Sequence, residues 1–114
     1  MKLWPVALAL LLVFCLPLLA STQEQRAHGA AVFAASGCQH CHSIRNVGGN
    51  KGPDLSGVGR RKKKPAMLNQ ILYGSKVMPA YKEILDQSDV DDLIAYLRSC
   101  RDKPAKPLPA TNSN

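Results

Sequence analysis

Large aromatic side chains are scarce in this chain: they make up 5% of 114 residues, with Trp 1, Phe 2 and Tyr 3. Trp4 and Phe14 fall in an N-terminal apolar run, which leaves Phe33, Tyr73, Tyr81 and Tyr96 to build a core. A domain this short and this poor in large apolar groups needs a staple, whether disulfides, a metal, a cofactor or oligomerisation. Acidic residues are also few, Asp+Glu 8 against Lys+Arg 15, so the formal net charge is +7. No alternating strand pattern and no internal repeat is present, which argues against sheet and solenoid folds. The length excludes a multidomain enzyme with a deep substrate pocket. Apolar residues nevertheless recur at regular spacing, which excludes a disordered chain.

The N-terminal apolar run is short. Lys2 supplies a positive charge, residues 6–16 are unbroken apolar sequence between Pro5 and Pro17, and Ala20 precedes the polar Ser21-Thr22-Gln23-Glu24-Gln25. That order reads as a secretory signal peptide over residues 1–20, cleaved near Ala20, and so as a periplasmic or otherwise exported protein. Leu18 is large for a place where the cleaving peptidase prefers a small residue. The competing reading is an uncleaved membrane anchor, but a spanning helix wants about 20 apolar residues and two prolines interrupt this run. Acylation of Cys15 is disfavoured by the bulky Phe14 before it. Export leaves Cys38, Cys41 and Cys100. An odd number of cysteines in an oxidising compartment means that some serve a purpose other than pairing.

About four helices are expected from the periodicity. The first starts near Thr22, capped with the help of Gln25, and runs through Ala27, Ala30, Ala31 and Ala34 towards Gly37. Gly29 and Phe33 on it offer a groove and a knob to another helix. A second helix covers residues 65–73, with Pro65 at its first turn, Leu68, Ile71 and Leu72 on one face and Gly74 as its stop. A short third follows Pro79. The fourth is capped by Ser88, carries Asp89, Asp91 and Asp92 at its start and Arg98 and Arg101 near its end, and places Val90, Leu93, Ile94 and Leu97 on one face. Residues 43–64 read as a glycine-rich loop, and residues 103–114, with Pro104, Pro107 and Pro109, as an unstructured Pro-rich tail.

The chemistry lies in Cys38-Gln39-His40-Cys41-His42. Two thiols at this spacing in a helical turn face the same way and can add to the two vinyl groups of haem as thioethers. The histidine directly after the second cysteine then brings its imidazole under the iron. A thioredoxin-type dithiol would need a βαβ context, and a zinc site would need two further ligands, for which Cys100, His28 and His40 are the candidates. For a sixth iron ligand, Met78 stands in the constrained loop Gly74-Ser75-Lys76-Val77-Met78-Pro79, whereas Met67, at the start of the second helix, reads as packing. Of the nitrogen alternatives, His40 points away in the thioether turn and His28 lies on a solvated helix face. A His42/Met78 pair leaves no coordination site open and raises the reduction potential, which favours electron transfer over oxygen or peroxide chemistry.

Taken together, Gly29 and Phe33, the Cys38 to His42 motif, Gly52-Pro53-Asp54-Leu55, Val77-Met78-Pro79 and Asp92-Leu93-Ile94-Ala95-Tyr96-Leu97 resemble a small bacterial class I cytochrome c over about residues 25–101. The resemblance implies an all-α cytochrome c fold over residues 21–102, packed around a single haem c bound through Cys38 and Cys41. It implies that the first and last helices cross near Gly29, Phe33, Leu93, Tyr96 and Leu97, and that the Pro53 carbonyl accepts a hydrogen bond from the axial His42. Haem would also supply an apolar plate for Val58, Leu68, Ile71, Leu72, Tyr81, Leu85 and Leu97. The implied role is a monomeric one-electron carrier rather than an enzyme. The alternative is a cytochrome c subunit of a larger dehydrogenase or oxidase, with a haem peroxidase third. The run Arg60-Arg61-Lys62-Lys63-Lys64 reads as a solvated loop or as steering towards acidic redox partners, not as a nucleic-acid site in an exported chain. Membrane contact is expected only if the N-terminal segment is retained. Lys76 and Lys82 flank the methionine loop, where the family exposes its haem edge, and Cys100 is expected to be a half-buried thiol at a helix end.

Overall fold

The computed structural model describes residues 2–103; the Pro-rich tail from residue 104 onward, and the side chains of residues 14–19, lie outside the described residues. The chain is mostly helical. Helix α1 spans Trp4–Ala35, opening with a proline in its first turn. It therefore runs straight through Thr22, where a start was expected, because residues 20–28 contain neither glycine nor proline and consist mainly of good helix formers. Trp4 and Val13 on its first half are exposed, as are Leu10 and Leu11. Among the described residues, no helix is long and apolar enough to cross a membrane. The helix ends at Ser36, and Gly37 turns the chain with φ 75°, a left-handed conformation that costs glycine little.

Between α1 and the next helices lie two features that replace the expected loop. Strands β1 (Ser43–Ile44) and β2 (Val47–Gly48) pair antiparallel, Ser43 opposite Gly48 and Ile44 opposite Val47. Arg45 and Asn46 between them have φ of 52° and 64°, as a two-residue hairpin turn of right-handed twist requires. A short helix α2, Val58–Arg61, follows. Helix α3, Lys64–Tyr73, has a proline in its first turn and Gly74 as its cap, in agreement with the expected second helix. After Pro79 there is one turn rather than a helix: Ile84 and Leu85 both donate backbone hydrogen bonds of 3.0 Å to Tyr81 O. The donors of the preceding segment are committed elsewhere, Tyr81 N to Ile71 O and Lys82 N to Leu72 O, closing carbonyls that the end of α3 leaves open.

Helix α4 covers Gln87–Ser99. Its cap is Asp86, whose carboxylate accepts from Asp89 N at 2.8 Å, and Ser88 sits inside the first turn instead. Asp86 has the extended backbone (φ −76°, ψ 171°) that a capping residue adopts. Val90, Leu93, Ile94 and Leu97 are all buried, as their period requires.

The core forms where α1 crosses α4. A Cβ at Gly29 would overlap Asp92 O and lie 2.8 Å from Tyr96 Cβ, so only glycine lets the helices approach this closely. One turn on, Phe33 meets Tyr96 edge-to-face at 5.9 Å between ring centroids. His28, expected to be simply solvated, keeps half its side chain exposed yet donates from Nδ1 to Asp92 Oδ2 at 2.8 Å, tying the two helices together. Gly59 of α2 packs on the Arg98 backbone and donates from its N–H to Cys100 O at 2.8 Å. Cys100 is more deeply buried than the expected half, at 4% exposure, and its Sγ donates to Tyr96 O at 3.5 Å.

Candidate functional site

The left-handed turn at Gly37 launches a single 3-10 turn, Cys38–His40. Cys41 N and His42 N both donate to Cys38 O, at 3.3 Å and 2.9 Å, so the two cysteines and the histidine follow one another around the same carbonyl. Both thiols are unpaired and half-buried. Burial is the largest effect on the Cys38 thiol and pushes its pKa up.

His42 is held by the loop that follows. Its Nδ1–H donates to Pro53 O at 2.8 Å. A carbonyl accepts only, so the proton sits on Nδ1 and the lone pair on Nε2, the nitrogen left to meet a metal. Gly52 allows this approach, since a Cβ there would come within 2.7 Å of His42 Cε1 and 2.8 Å of Nδ1. Gly52 N donates to Cys41 O at 2.7 Å, and Leu55 N to Ser43 O at 2.8 Å, pinning the loop along the motif. Its far side is tied by Asp54, whose Oδ1 accepts from Ser56 N at 2.9 Å and from Ser56 Oγ at 2.6 Å. Those bonds hold the Asp54 carboxyl below the usual range.

Met78 lies half-buried on the segment between α3 and α4, packed against the core. Its backbone is bound twice to Ser75, with Ser75 N donating to Met78 O at 2.9 Å and Met78 N to Ser75 Oγ at 3.2 Å. Its sulfur accepts from Gln70 Nε2 at 3.4 Å. Three residues on, Tyr81 brings this segment to the cysteine motif: its hydroxyl donates to Ser36 O at 3.0 Å. Burial raises the Tyr81 phenol first, and the nearby Cys38 and Cys41 raise it further.

The other sequence candidates are placed elsewhere. Met67 is a core residue of α3, 5% exposed. His40 is exposed and its ring lies over Gly37. Of the basic run, Arg61 donates to Asp54 O at 2.7 Å and Lys64 Nζ lies 3.6 Å from Asp91 Oδ1, leaving Arg60, Lys62 and Lys63 exposed. Two contacts near the candidate site had no recognisable signal in the sequence: the Gln70 bond to sulfur, and the Arg45 guanidinium that reaches Asp102 at 2.8 Å and props the hairpin beside the motif.

Haem fits these residues. The cysteines are unpaired, the histidine tautomer frees Nε2, and Leu55, Leu68, Leu72 and Leu85 are apolar side chains packed on the core yet left partly uncovered. Zinc does not fit. Among the described residues no group of three or more His, Cys, Asp or Glu is arranged to hold a metal ion, and Cys100 and His28, two of the candidate ligands, are engaged with Tyr96 and Asp92.

A family model described as cytochrome C oxidase, cbb3-type, subunit III matches residues 24–97. No curated protein and no solved structure matches the chain.

Proposed function

The chain belongs to the cytochrome c oxidase, cbb3-type, subunit III family, and is thus a c-type cytochrome domain that binds haem c covalently and carries electrons; on that premise we propose an exported monohaem carrier in which His42 and Met78 would ligate the iron. The observation that carries the reading is the 2.8 Å bond from His42 Nδ1 to Pro53 O, which fixes the ring and its tautomer with Nε2 free. Cys38 and Cys41 supply the thiols for the two thioether links. Haem c, when bound, supplies a one-electron couple.

The protein's own part is to hold both ligands still while that couple turns over. Pro53 anchors the imidazole through a carbonyl that needs no proton exchange, and Gly52 permits the close approach. Gly74 and Ser75 fold the methionine loop back on itself, with Met78 O accepting from Ser75 N. Leu55, Leu68, Leu72 and Leu85, half-buried and packed on the core, would exclude water from the faces of a bound haem. The optical spectrum tests the ligand pair. The oxidised holoprotein is expected to show a methionine-to-iron charge-transfer band that Met78→Ala abolishes without loss of covalent haem. A wild-type protein without that band, or a Met78→Ala protein that keeps it, would contradict the assignment.

The surface beside Met78 suits docking. Val77 is 87% exposed and Tyr73 59%, with Ile84 also exposed, and Lys76 and Lys82 stand among them. Lys82 Nζ lies 5.7 Å from the Tyr73 ring centroid, where a cation and an aromatic face attract. An apolar patch with basic residues matches the acidic rim of a redox partner. Changing Lys76 and Lys82 to glutamate is expected to slow oxidation by an acidic partner at low salt by on the order of tenfold, with the difference fading as salt is raised. Equal rates at low salt would remove this surface from the account. A second reading, a cytochrome subunit of a larger complex, is favoured by the name of the matching family. Copurification with a catalytic subunit distinguishes it from a free carrier.

A further inference from the structure

We infer that Gln70 is a positioning residue for the Met78 thioether, its side-chain amide holding one sulfur lone pair so that the other is turned towards the haem site. This rests on the reading of Met78 as a ligand. Gln70 Nε2 donates to Met78 Sδ at 3.4 Å, and sulfur in a thioether is an acceptor only, so the amide presents its NH2 group.

The two partners are unequally constrained, which is why the bond matters. Gln70 belongs to the last turn of α3, between the buried Met67 and Ile71, and its carbonyl accepts from Gly74 N at 2.9 Å. Its position is therefore set by the helix. The Met78 backbone is fixed through Ser75, and a side chain on Gly74 would overlap Met78 O, so the loop has little freedom. The methionine side chain keeps three rotatable bonds, which packing alone defines poorly. The amide supplies the missing restraint. A thioether left loose would be a weaker ligand, and because thioether ligation raises the potential, its weakening would lower it. Outer contacts of this kind tune both ligand affinity and potential.

The test uses the holoprotein with Gln70→Ala and Gln70→Glu. Gln70 is exposed, so neither change disturbs the core. Glutamate keeps the shape of glutamine, but its ionised carboxylate cannot donate. In both variants the methionine-to-iron band is expected to shift or weaken, the reduction potential to fall, and added imidazole to displace Met78 with an apparent affinity on the order of tenfold tighter than in wild type. If only the alanine variant changes, side-chain bulk rather than hydrogen bonding is responsible and the inference is overturned. If both variants match wild type in band, potential and imidazole affinity while Met78→Ala still abolishes the band, Gln70 has no such role and the ligand assignment stands. A wild-type protein with no methionine band overturns both.

Discussion

Replacing Cys38 and Cys41 together by serine is expected to give a chain with no attached haem and no cooperative thermal transition. The buried core is small and built mainly of aliphatic side chains from α1, α3 and α4, with Phe33 its one buried aromatic among the described residues. Helix α3 buries only Met67 and Ile71, and the segment from Ser43 to Gly57 is held mainly by hydrogen bonds, among them Asp102 N to Ser56 O, His42 to Pro53 O, Arg61 to Asp54 O and Arg45 to Asp102, with only Gly57 buried. The partly covered leucines around the site contribute little until an apolar plate completes their burial. Conformational entropy costs roughly 1–2 kcal/mol per ordered residue, and so few buried groups do not offset it. Circular dichroism on heating is the measurement. The double variant is expected to lose signal gradually, with residual helicity from α1, where the holoprotein melts in one step. A single sharp transition in the variant near the holoprotein midpoint would show that the polypeptide folds without its cofactor.

Gly29→Ala is the second large effect, expected to destabilise the holoprotein by roughly 3 kcal/mol, at the upper end for overpacking. The added methyl would lie within 2.6 Å of Asp92 C and 2.8 Å of Tyr96 Cβ and would overlap Asp92 O. Two of those three neighbours are backbone atoms of α4, so no flexible side chain can yield, and the helices must separate. Separation also weakens the edge-to-face contact of Phe33 with Tyr96 and the bond from His28 to Asp92. The higher helix propensity of alanine returns only about 1 kcal/mol. Against a total stability of about 5–15 kcal/mol for a small domain, the loss is conspicuous. Urea unfolding checks it. A midpoint equal to wild type would mean that the crossing is looser than this geometry.

Much of the site was legible because covalent chemistry constrains residue order. The proposed attachment needs Cys38, Cys41 and His42 in close succession, and the buried face of α4 follows from the spacing of Val90, Leu93, Ile94 and Leu97. The errors fell where local preference was nearly degenerate. Asp86 and Ser88 are both good caps two residues apart, and which one starts α4 depends on the turn at Tyr81 that delivers the chain to it. Thr22 is a good cap in isolation, but a helix arriving from Trp4 leaves it no end to cap. The hairpin was hidden because its strands are two residues each and its turn is Arg45-Asn46 rather than a glycine turn. That turn is supported by Asp102, on the far side of α4 in sequence. The contact from Gln70 to Met78 was equally invisible, since amide-to-sulfur bonds leave no pattern in residue order.

The central claim is that a porphyrin is joined through sulfur to Cys38 and Cys41, with the His42 imidazole held ready by Pro53. The mass of the intact, denatured holoprotein tests it most directly. The expected value is the polypeptide mass plus one haem, reduced to the bare polypeptide when both cysteines are serine. A wild-type protein at bare polypeptide mass would contradict it.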